Sequence, residues 1–504
     1  MSSATTSVEI RRGAYHDSVT LMQVSRAVST VDGVQAALVA MATELNLDLL
    51  DGMGFQTPEG AGPNDLLVAI RADDDEATER AKVELAAALA RSTAGGSGST
   101  GLGAPPPPRT TGSAARRTGA SLSLVSVPGP HAFTEAMDAL ESGLSVMIFS
   151  DNVPVEQEIR LKDEGARRGL LVMGPDCGTA AVSGVGLGFA NTVRPGPVGI
   201  VAASGTGAQQ LMCLLDAAGV GVSHCLGVGG RDLSAAVGGR STRQALAMLA
   251  EDAVTELIVV VSKPPAKEVA DEIAAYAEGL GTPVQLAFLG AGQPDLTAAA
   301  RRAVESAGGS WPEPQSWAPA GIDGARPVAS PGALRGLFAG GTLCDEAMVI
   351  AAAELGPVRS NIPLQPEWAL PDDLAADGHA MIDFGDDRLT QGRAHPMIDQ
   401  RSRLERIAAE SHDPQTAVLL LDVVLGHGAH PDPASELAPA LADAVQTARA
   451  DGRELAVVVS LCGTEGDPQG LVRQAEALSA AGAAVHRSNA EAARAAAALT
   501  EVGG

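Results

Sequence analysis

The chain has 504 residues, of which 45% are hydrophobic, 19% charged and only 2% aromatic. That is enough for several cores, built from Ala, Val, Leu and Ile rather than from rings. A net charge of −26 speaks against nucleic acid and anionic membrane surfaces as partners, since both need clustered Lys and Arg. An anionic small molecule must therefore be held by a local site. The cysteines Cys177, Cys213, Cys225, Cys344 and Cys462 are odd in number and form no Cys-x-x-Cys pair, which suits a reducing compartment without structural zinc. With neither an apolar leader nor an apolar run of membrane length in the sequence, the expected location is the cytoplasm.

In chain order, Val8–Arg11 predicts a strand, Ser18–Val31 a helix, Gln35–Met41 and Leu66–Arg71 two further strands, and Asp75–Arg91 an Ala-rich helix. These make residues 1–92 a small α/β domain. Residues 93–119 hold Gly-Gly, Ser-Gly-Ser and Pro105–Pro108, a linker composition. From 120 to 195 strands and helices alternate: strand Leu122–Val127, a helix to about Ser142, strand Val146–Phe149, helix Val155–Arg168 and strand Leu170–Met173. The last strand runs into Gly174-Pro175-Asp176-Cys177-Gly178. Such alternation predicts a doubly wound parallel sheet.

The next section is repeated. Copy one, within residues 196–311, runs strand Val198–Ala203, Ser204-Gly205-Thr206-Gly207, helix Ala208–Ala217, a Gly229-Gly230-Arg231-Asp232-Leu233 turn, helix Ser241–Ala250 and strand Leu257–Val261. After a Pro- and Ala-rich join at 312–333, copy two occupies residues 334–504. It runs strand Gly336–Ala339, Gly340-Gly341-Thr342, a helix through Glu354, a Gly385-Asp386-Asp387-Arg388-Leu389 turn, a helix around Ser402–Glu410 and strand Ala417–Leu421. Two copies of one βα unit predict two similar domains facing each other across a cleft.

A Gly-Thr loop between a strand and a helix presents free backbone N–H groups where the helix dipole favours an anion. Ser204, Gly205, Thr206 and Gly207 fit a phosphate site or simply an N-cap. Gly341 and Thr342 repeat the pattern, with Asp345 and Glu346 in the first turn to compete with an anion. Lys263, one of only four lysines, follows a buried strand at the edge where ligands bind in such sheets. It fits either a point charge for phosphate or an exposed strand-end lysine. Arg231 suits bidentate anion binding or a structural pair with Asp232, and Arg388 has a similar place in copy two. His395 is a candidate acid/base group or a structural hydrogen-bonder. Cys177 is a candidate nucleophile or a core filler. His427 and His430 lack a third ligand in view, and no metal is assigned.

The run Gly174-Pro175-Asp176-Cys177-Gly178, then Val198-Gly199-Ile200-Val201 leading to Ser204-Gly205-Thr206, then Gly227-Val228-Gly229-Gly230, resembles the succinyl-CoA synthetase α subunit in order and spacing. Copy two resembles the carboxyl-terminal ligase domain of the β subunit. The resemblance implies several Rossmann- or flavodoxin-like parallel-sheet domains, with 120–195 a partial CoA-binding-like domain. It implies one phosphate site shared by Ser204–Gly207 and Gly341–Thr342, and makes CoA a candidate ligand near Gly174, Pro175, Asp176 and Cys177.

Three departures stand out. Where that family carries a phosphorylated histidine in a Gly-His-Ala-Gly loop, after the strand Pro283–Leu289, this sequence has Gly290-Ala291-Gly292-Gln293. The family's supporting glutamate falls at or near Lys263, and no ATP-grasp region is recognisable. Tyr15-His16-Asp17-Ser18-Val19 with Leu21-Met22, Gly188-Phe189-Ala190-Asn191, Ser262-Lys263-Pro264-Pro265 and Gly392-Arg393-Ala394-His395-Pro396-Met397-Ile398-Asp399 resemble the FdrA family of acyl-CoA-synthetase relatives. That resemblance implies a subunit of a hetero-oligomeric carbamoyltransferase in ureide (allantoin) breakdown, converting oxalurate and phosphate to oxamate and carbamoyl phosphate. An ADP-forming acyl-CoA synthetase subunit with a separate nucleotide-binding partner, and a non-catalytic scaffold subunit, are the alternatives.

Overall fold

The computed structural model describes residues 5–14, 16, 18–58, 60–94, 108–319, 332–390 and 393–500. Tyr15, Asp17 and Gly392 of the family-like motifs, and residues 95–107 and 320–331 of the two linker stretches, lie outside the described residues. The chain divides into two compact units, residues 1–110 with 390–394, and residues 111–389 with 395–504.

The first unit runs β1 (Thr5–Arg11), α1 (Ser18–Ser29), β2 (Val34–Met41), α2 (Glu44–Gly52), β3 (Leu66–Ala72) and α3 (Asp75–Ala94). Its sheet has the order β1-β3-β2, antiparallel throughout. The central strand is the apolar run Leu66–Ile70, and both of its faces are covered. Leu66, Val68 and Ile70 pack with Leu21, Val24 and Val28 of α1 and Leu85 of α3. Leu67 and Ala69 pack with Leu50 and Phe55. Period-two alternation in a strand apolar at every position places it between two layers. Helix α2 has no counterpart in the sequence reading: its Asp-, Asn- and Leu-rich nine residues carry too little periodicity, although Thr43 caps it by accepting from the Asn46 N–H at 3.4 Å.

The second unit begins with α4 (Thr111–Thr118), a correction to the linker assigned over 93–119. Gly112 fits there because a Cβ would lie 2.4 Å from Ser142 Oγ, and the Gly112 N–H donates to Asp138 at 2.9 Å. Then come β4 (Leu122–Val125), α5 (Gly129–Glu141), β5 (Ser145–Ile148), α6 (Val155–Arg168) and β6 (Val172–Met173). They form a three-stranded parallel sheet in the order β4-β5-β6.

The next elements are β7 (Thr179–Val182), β8 (Val185–Gly188), β9 (Pro195–Ala203), α7 (Gly205–Ala217), β10 (Val222–Gly227), α8 (Arg240–Glu251), β11 (Leu257–Ser262), α9 (Lys267–Glu278), β12 (Val284–Phe288) and α10 (Leu296–Ser306). Their sheet has the order β12-β11-β9-β10-β7-β8, parallel from β12 to β10, with an antiparallel hairpin β7-β8 at the edge.

The last sheet draws on β13 (Ser316–Trp317), β14 (Ala333–Phe338), α11 (Gly341–Leu355), β15 (Arg359–Ser360), β16 (Ala380–Asp383), α12 (Asp387–Thr390), α13 (Arg401–His412), β17 (Thr416–Val424), α14 (Pro433–Ala450), β18 (Ala456–Cys462), α15 (Leu471–Ala480), β19 (Ala483–His486) and α16 (Asn489–Ala498). Its order is β13-β19-β18-β17-β14-β16-β15, parallel except for β13.

Both large sheets have the same plan. β9 and β14 are the first strands of their copies and lie inside their sheets, with later strands added on both sides. Each is followed by a helix beginning at its carboxyl end. The crevice at such a reversal of strand order is where open α/β sheets bind ligands.

Candidate functional site

The helix starts of the two repeats meet. Ser204, the N-cap of α7, accepts the Gly207 N–H at 3.0 Å, and its Oγ lies 2.6 Å from Thr342 Oγ1 in the first turn of α11. Close approach requires glycine on both sides: a Cβ on Gly340 would stand 2.8 Å from Thr206 Oγ1 and Cγ2, and one on Gly207 3.0 Å from Thr342 Cγ2. Behind the second loop, the buried Asp422 in the last part of β17 accepts the N–H groups of Ala339 (2.7 Å) and Gly340 (2.8 Å). Asp422 is in turn held by the buried Arg403 at 2.8 Å. Those donors are consumed by the fold. Among the described residues, Gly205, Thr206, Gly341 and Thr342 keep backbone N–H groups without a backbone or side-chain acceptor.

The strands beside β9 and β14 deliver the charged groups. Ser262 pairs with Ala203, so Lys263 leaves β11 level with the α7 cap. Asp383 pairs with Phe338, so it ends β16 level with the α11 loop. Lys263 Nζ is 3.1 Å from Asp345 Oδ2, and its side chain remains 40% exposed. Burial works against the Lys263 charge, but the Asp345 and Asp383 carboxylates outweigh it and hold its pKa above the usual lysine value. Asp345 thus pairs with the lysine itself. Glu346 points elsewhere: it accepts the Leu296 N–H at 2.6 Å and the Asn489 amide at 2.7 Å. Burial pushes its pKa up to about 7.

His395 belongs to the same neighbourhood. Its Nδ1 accepts the Met397 N–H at 3.2 Å, so the neutral ring carries its proton on Nε2. That nitrogen lies 2.9 Å from the point a Gly385 Cβ would occupy, and Asp383 Oδ1 lies 3.1 Å from the same point. Phe189 packs on the ring, with centroids 5.6 Å apart. Burial, followed by the Arg403 charge, lowers the His395 pKa to about 4. Near neutral pH the imidazole is therefore an N–H donor rather than a cation.

The structure separates the remaining sequence candidates from this cluster or gives them other partners. Arg231 and Asp232 do not pair with each other. Arg231 donates to the Val153 carbonyl at 2.8 Å and lies 3.0 Å from Glu158. Asp232 is fully buried and binds Lys162 at 2.7 Å and the Ser241 and Thr242 N–H groups. Arg388 donates to Asp386 and to the Asn361 carbonyl, so the two turns of the repeat differ in chemistry. Gly174 and Gly229, both with φ near 89°, pack on each other; a Cβ on Gly229 would meet the Pro175 carbonyl at 2.4 Å. Cys177 fills the core against Gly227, and burial raises its thiol pKa to about 12, which leaves too little thiolate for a nucleophile. Asp176 is open to solvent yet surrounded closely enough by protein that desolvation, then Asp387 and Asp151, raise its pKa to about 7. Gly290-Ala291-Gly292-Gln293 forms a surface turn after β12, closed by Gln293 N–H to the Gly290 carbonyl at 3.0 Å.

Asp383, Asp422 and Arg403 were invisible in the sequence reading. Their only signals are charged residues closing the apolar runs Ala380-Met381-Ile382 and Leu419-Leu420-Leu421, and an Arg on the buried face of α13.

A family model described as CoA-ligase matches residues 337–499, and one described as AllF, heavy metal-associated domain, matches residues 1–104. The Escherichia coli (strain K12) protein YahF, itself described as uncharacterized, is 39% identical over 493 residues, covering 94% of this chain and 95% of that one. The malate–CoA ligase subunit alpha of Methylorubrum extorquens is 28% identical over 200 residues, 38% of this chain and 66% of that one. The ADP-forming succinate–CoA ligase subunit alpha of Aquifex aeolicus is 29% identical over 171 residues, 33% of this chain and 54% of that one. The match thus spans between about half and two thirds of those ligase subunits. Residues 1–104 contain no cysteine and one histidine, His16, so that segment offers no thiolate to a soft metal. Among the described residues, no group of three or more His, Cys, Asp or Glu side chains could hold a metal ion, and no helix is long and apolar enough to cross a membrane.

Proposed function

Because the chain belongs to the YahF family and carries a succinyl-CoA-synthetase-like CoA-ligase domain, we propose that it is a subunit of a group-transferring enzyme that moves a carbamoyl group between oxalurate and phosphate, forming oxamate and carbamoyl phosphate. The observation that carries this reading is the meeting of the α7 and α11 starts beside Lys263 and Asp383. Open backbone donors and one ammonium suit phosphate. The carboxylates Asp383 and Asp345, out of place around a purely anionic acyl phosphate, suit the N–H groups of a ureide. Gly290–Gln293 supplies no imidazole for a covalent phosphoenzyme, so phosphate reacts where it binds. The AllF-type N-terminal match is in keeping with a ureide substrate.

A second reading is favoured by the malate– and succinate–CoA ligase relatives: a subunit of an ADP-forming acyl-CoA ligase, with nucleotide bound by a separate chain. CoA would then sit near Gly174–Cys177. In either reading the chain works with partner subunits in a hetero-oligomer. The two are separated by assaying the protein with its co-purifying partners. Carbamoyl phosphate formed from oxalurate and phosphate supports the first; acyl-CoA formed from ATP, CoA and a dicarboxylate, with oxalurate inert, supports the second.

A further inference from the structure

Asp383 is held in place on its main-chain side. Asn361 accepts its N–H and donates to its carbonyl, both at 2.9 Å. One carboxylate oxygen, Oδ1, accepts the Gly385 N–H at 2.9 Å. The other oxygen, Oδ2, has no hydrogen bond or ion pair, although the residue is only 5% exposed. It lies 2.6 Å from the position a Gly341 Cβ would occupy, and Lys263 Nζ lies 3.0 Å from the same point. That oxygen is not sealed in the core, so a ligand can reach it without displacing a protein partner. It faces the missing side chain of Gly341, at the first N–H groups of α11.

We propose that Asp383 is a catalytic residue that carries the proton of the reaction, taking it from the hydroxyl of the attacking phosphate and delivering it to the departing amide nitrogen. The proposal rests on the carbamoyl-transfer reading above. In that reaction a phosphate oxygen of HPO4²⁻ forms a bond to the carbamoyl carbon of oxalurate, and the bond from that carbon to the inner nitrogen breaks. The electron pair stays on nitrogen, which must gain one proton to become the amide of oxamate. The attacking phosphate must lose one, since the carbamoyl phosphate formed is the dianion. One carboxylate that accepts and then returns a proton closes this balance with no other reactant.

The neighbours leave this task to Asp383. Asp345 is engaged by Lys263, whose charge is placed to stabilise the oxyanion of the tetrahedral intermediate. His395 already spends Nδ1 on the Met397 N–H, and with its pKa lowered to about 4 by burial the ring takes up a proton too reluctantly to act as a base. Burial, partly offset by Lys263 and the Gly385 N–H, sets the Asp383 carboxyl at about 7, where both protonation states are populated near neutrality.

The test uses the protein purified with its partner subunits, with oxalurate and inorganic phosphate as substrates. Asp383→Asn is expected to lower kcat on the order of 10²–10³-fold, to change KM for phosphate by less than about threefold, and to remove the decline of kcat below neutral pH. Asp383→Glu, which keeps the carboxyl but moves it by one methylene, is expected to retain that decline at reduced kcat. It decides the matter if the Asn variant does not fold. An Asp383→Asn enzyme with wild-type kcat, or an Asp383→Glu enzyme with unchanged kcat and unchanged acid limb, overturns the assignment while the carbamoyl-transfer reading stands. A wild-type complex that leaves oxalurate and phosphate unreacted overturns that reading, and this assignment falls with it.

Discussion

Lys162 and Lys263 are two of four lysines in the chain, and they serve different ends. Lys162 is fully buried and bonds Glu158 at 2.8 Å, Asp232 at 2.7 Å and the Val228 carbonyl at 2.9 Å. Lys162→Met would leave the buried Asp232 without its cation and Glu158 with Arg231 alone, and removing one partner of a buried ion pair costs about 3–5 kcal/mol. A chemical-denaturation midpoint of the second unit that does not move would contradict this. Lys263 is 40% exposed and pairs with Asp345. Lys263→Met should lower phosphate-dependent turnover on the order of 10²-fold, through loss of a charge-assisted contact to a desolvated anion. Lys267→Met should stay near wild type, since Lys267 is exposed and paired only with Asp271. Lys263 was legible because it closes the buried run Ile258–Ser262. Asp383 was not, because four apolar-to-acidic residues before a glycine turn do not announce a strand. The Arg231–Asp232 pair was misread because adjacency in sequence says nothing of direction: one side chain faces the surface and the other the core.

Glu346 gives a prediction with a definite sign. Its folded-state pKa, about 7, lies above its ordinary value of 4.5, so between those pH values the folded form holds the proton that the unfolded form has lost. Stability is therefore lost as pH rises from 4.5 towards 7, by on the order of 3 kcal/mol in all. Glu346→Gln should flatten that part of the pH–stability curve. Identical slopes for the variant and wild type would show that Glu346 ionises normally.

At the scale of elements, the decisive contact is between the first turns of α7 and α11. Ser204→Ala removes the cap on Gly207 and the bond to Thr342, so a loss of about 1–2 kcal/mol is expected. Gly340→Ala is the sharper probe. Its new Cβ would collide with Thr206, so the variant should melt lower and lose activity, and Thr206→Gly in the same chain should restore part of both. If the double variant is no better than Gly340→Ala alone, the two helix starts are not in contact. The repeat itself was readable, because β9–α7 and β14–α11 share a strand, a glycine-threonine turn and a helix. The edge hairpin β7-β8 was not. Its Ala-, Gly- and Val-rich strands pair by backbone bonds and carry no alternation strong enough to mark them. Helix α4 was hidden by its neighbours, since Thr111–Thr118 is only eight residues beside a Pro run.

For the whole molecule, three mainly parallel sheets and a small antiparallel one follow from Ala-, Val- and Leu-rich strands alternating with amphipathic helices. Their order within each sheet was not legible, because strand neighbours depend on crossovers that local patterning does not encode. The N-terminal match to a heavy metal-associated domain model contrasts with a segment that has no cysteine, so equilibrium dialysis of Zn²⁺ or Cu⁺ against residues 1–110 within the intact chain should show no tight site there. The central claim concerns chemistry, and one measurement meets it directly: carbamoyl phosphate formation by the purified complex supplied with oxalurate and inorganic phosphate, with ATP and CoA omitted. The proposed function predicts stoichiometric oxamate and carbamoyl phosphate under those conditions. Product that appears only when ATP and CoA are added, as an acyl-CoA, would contradict it.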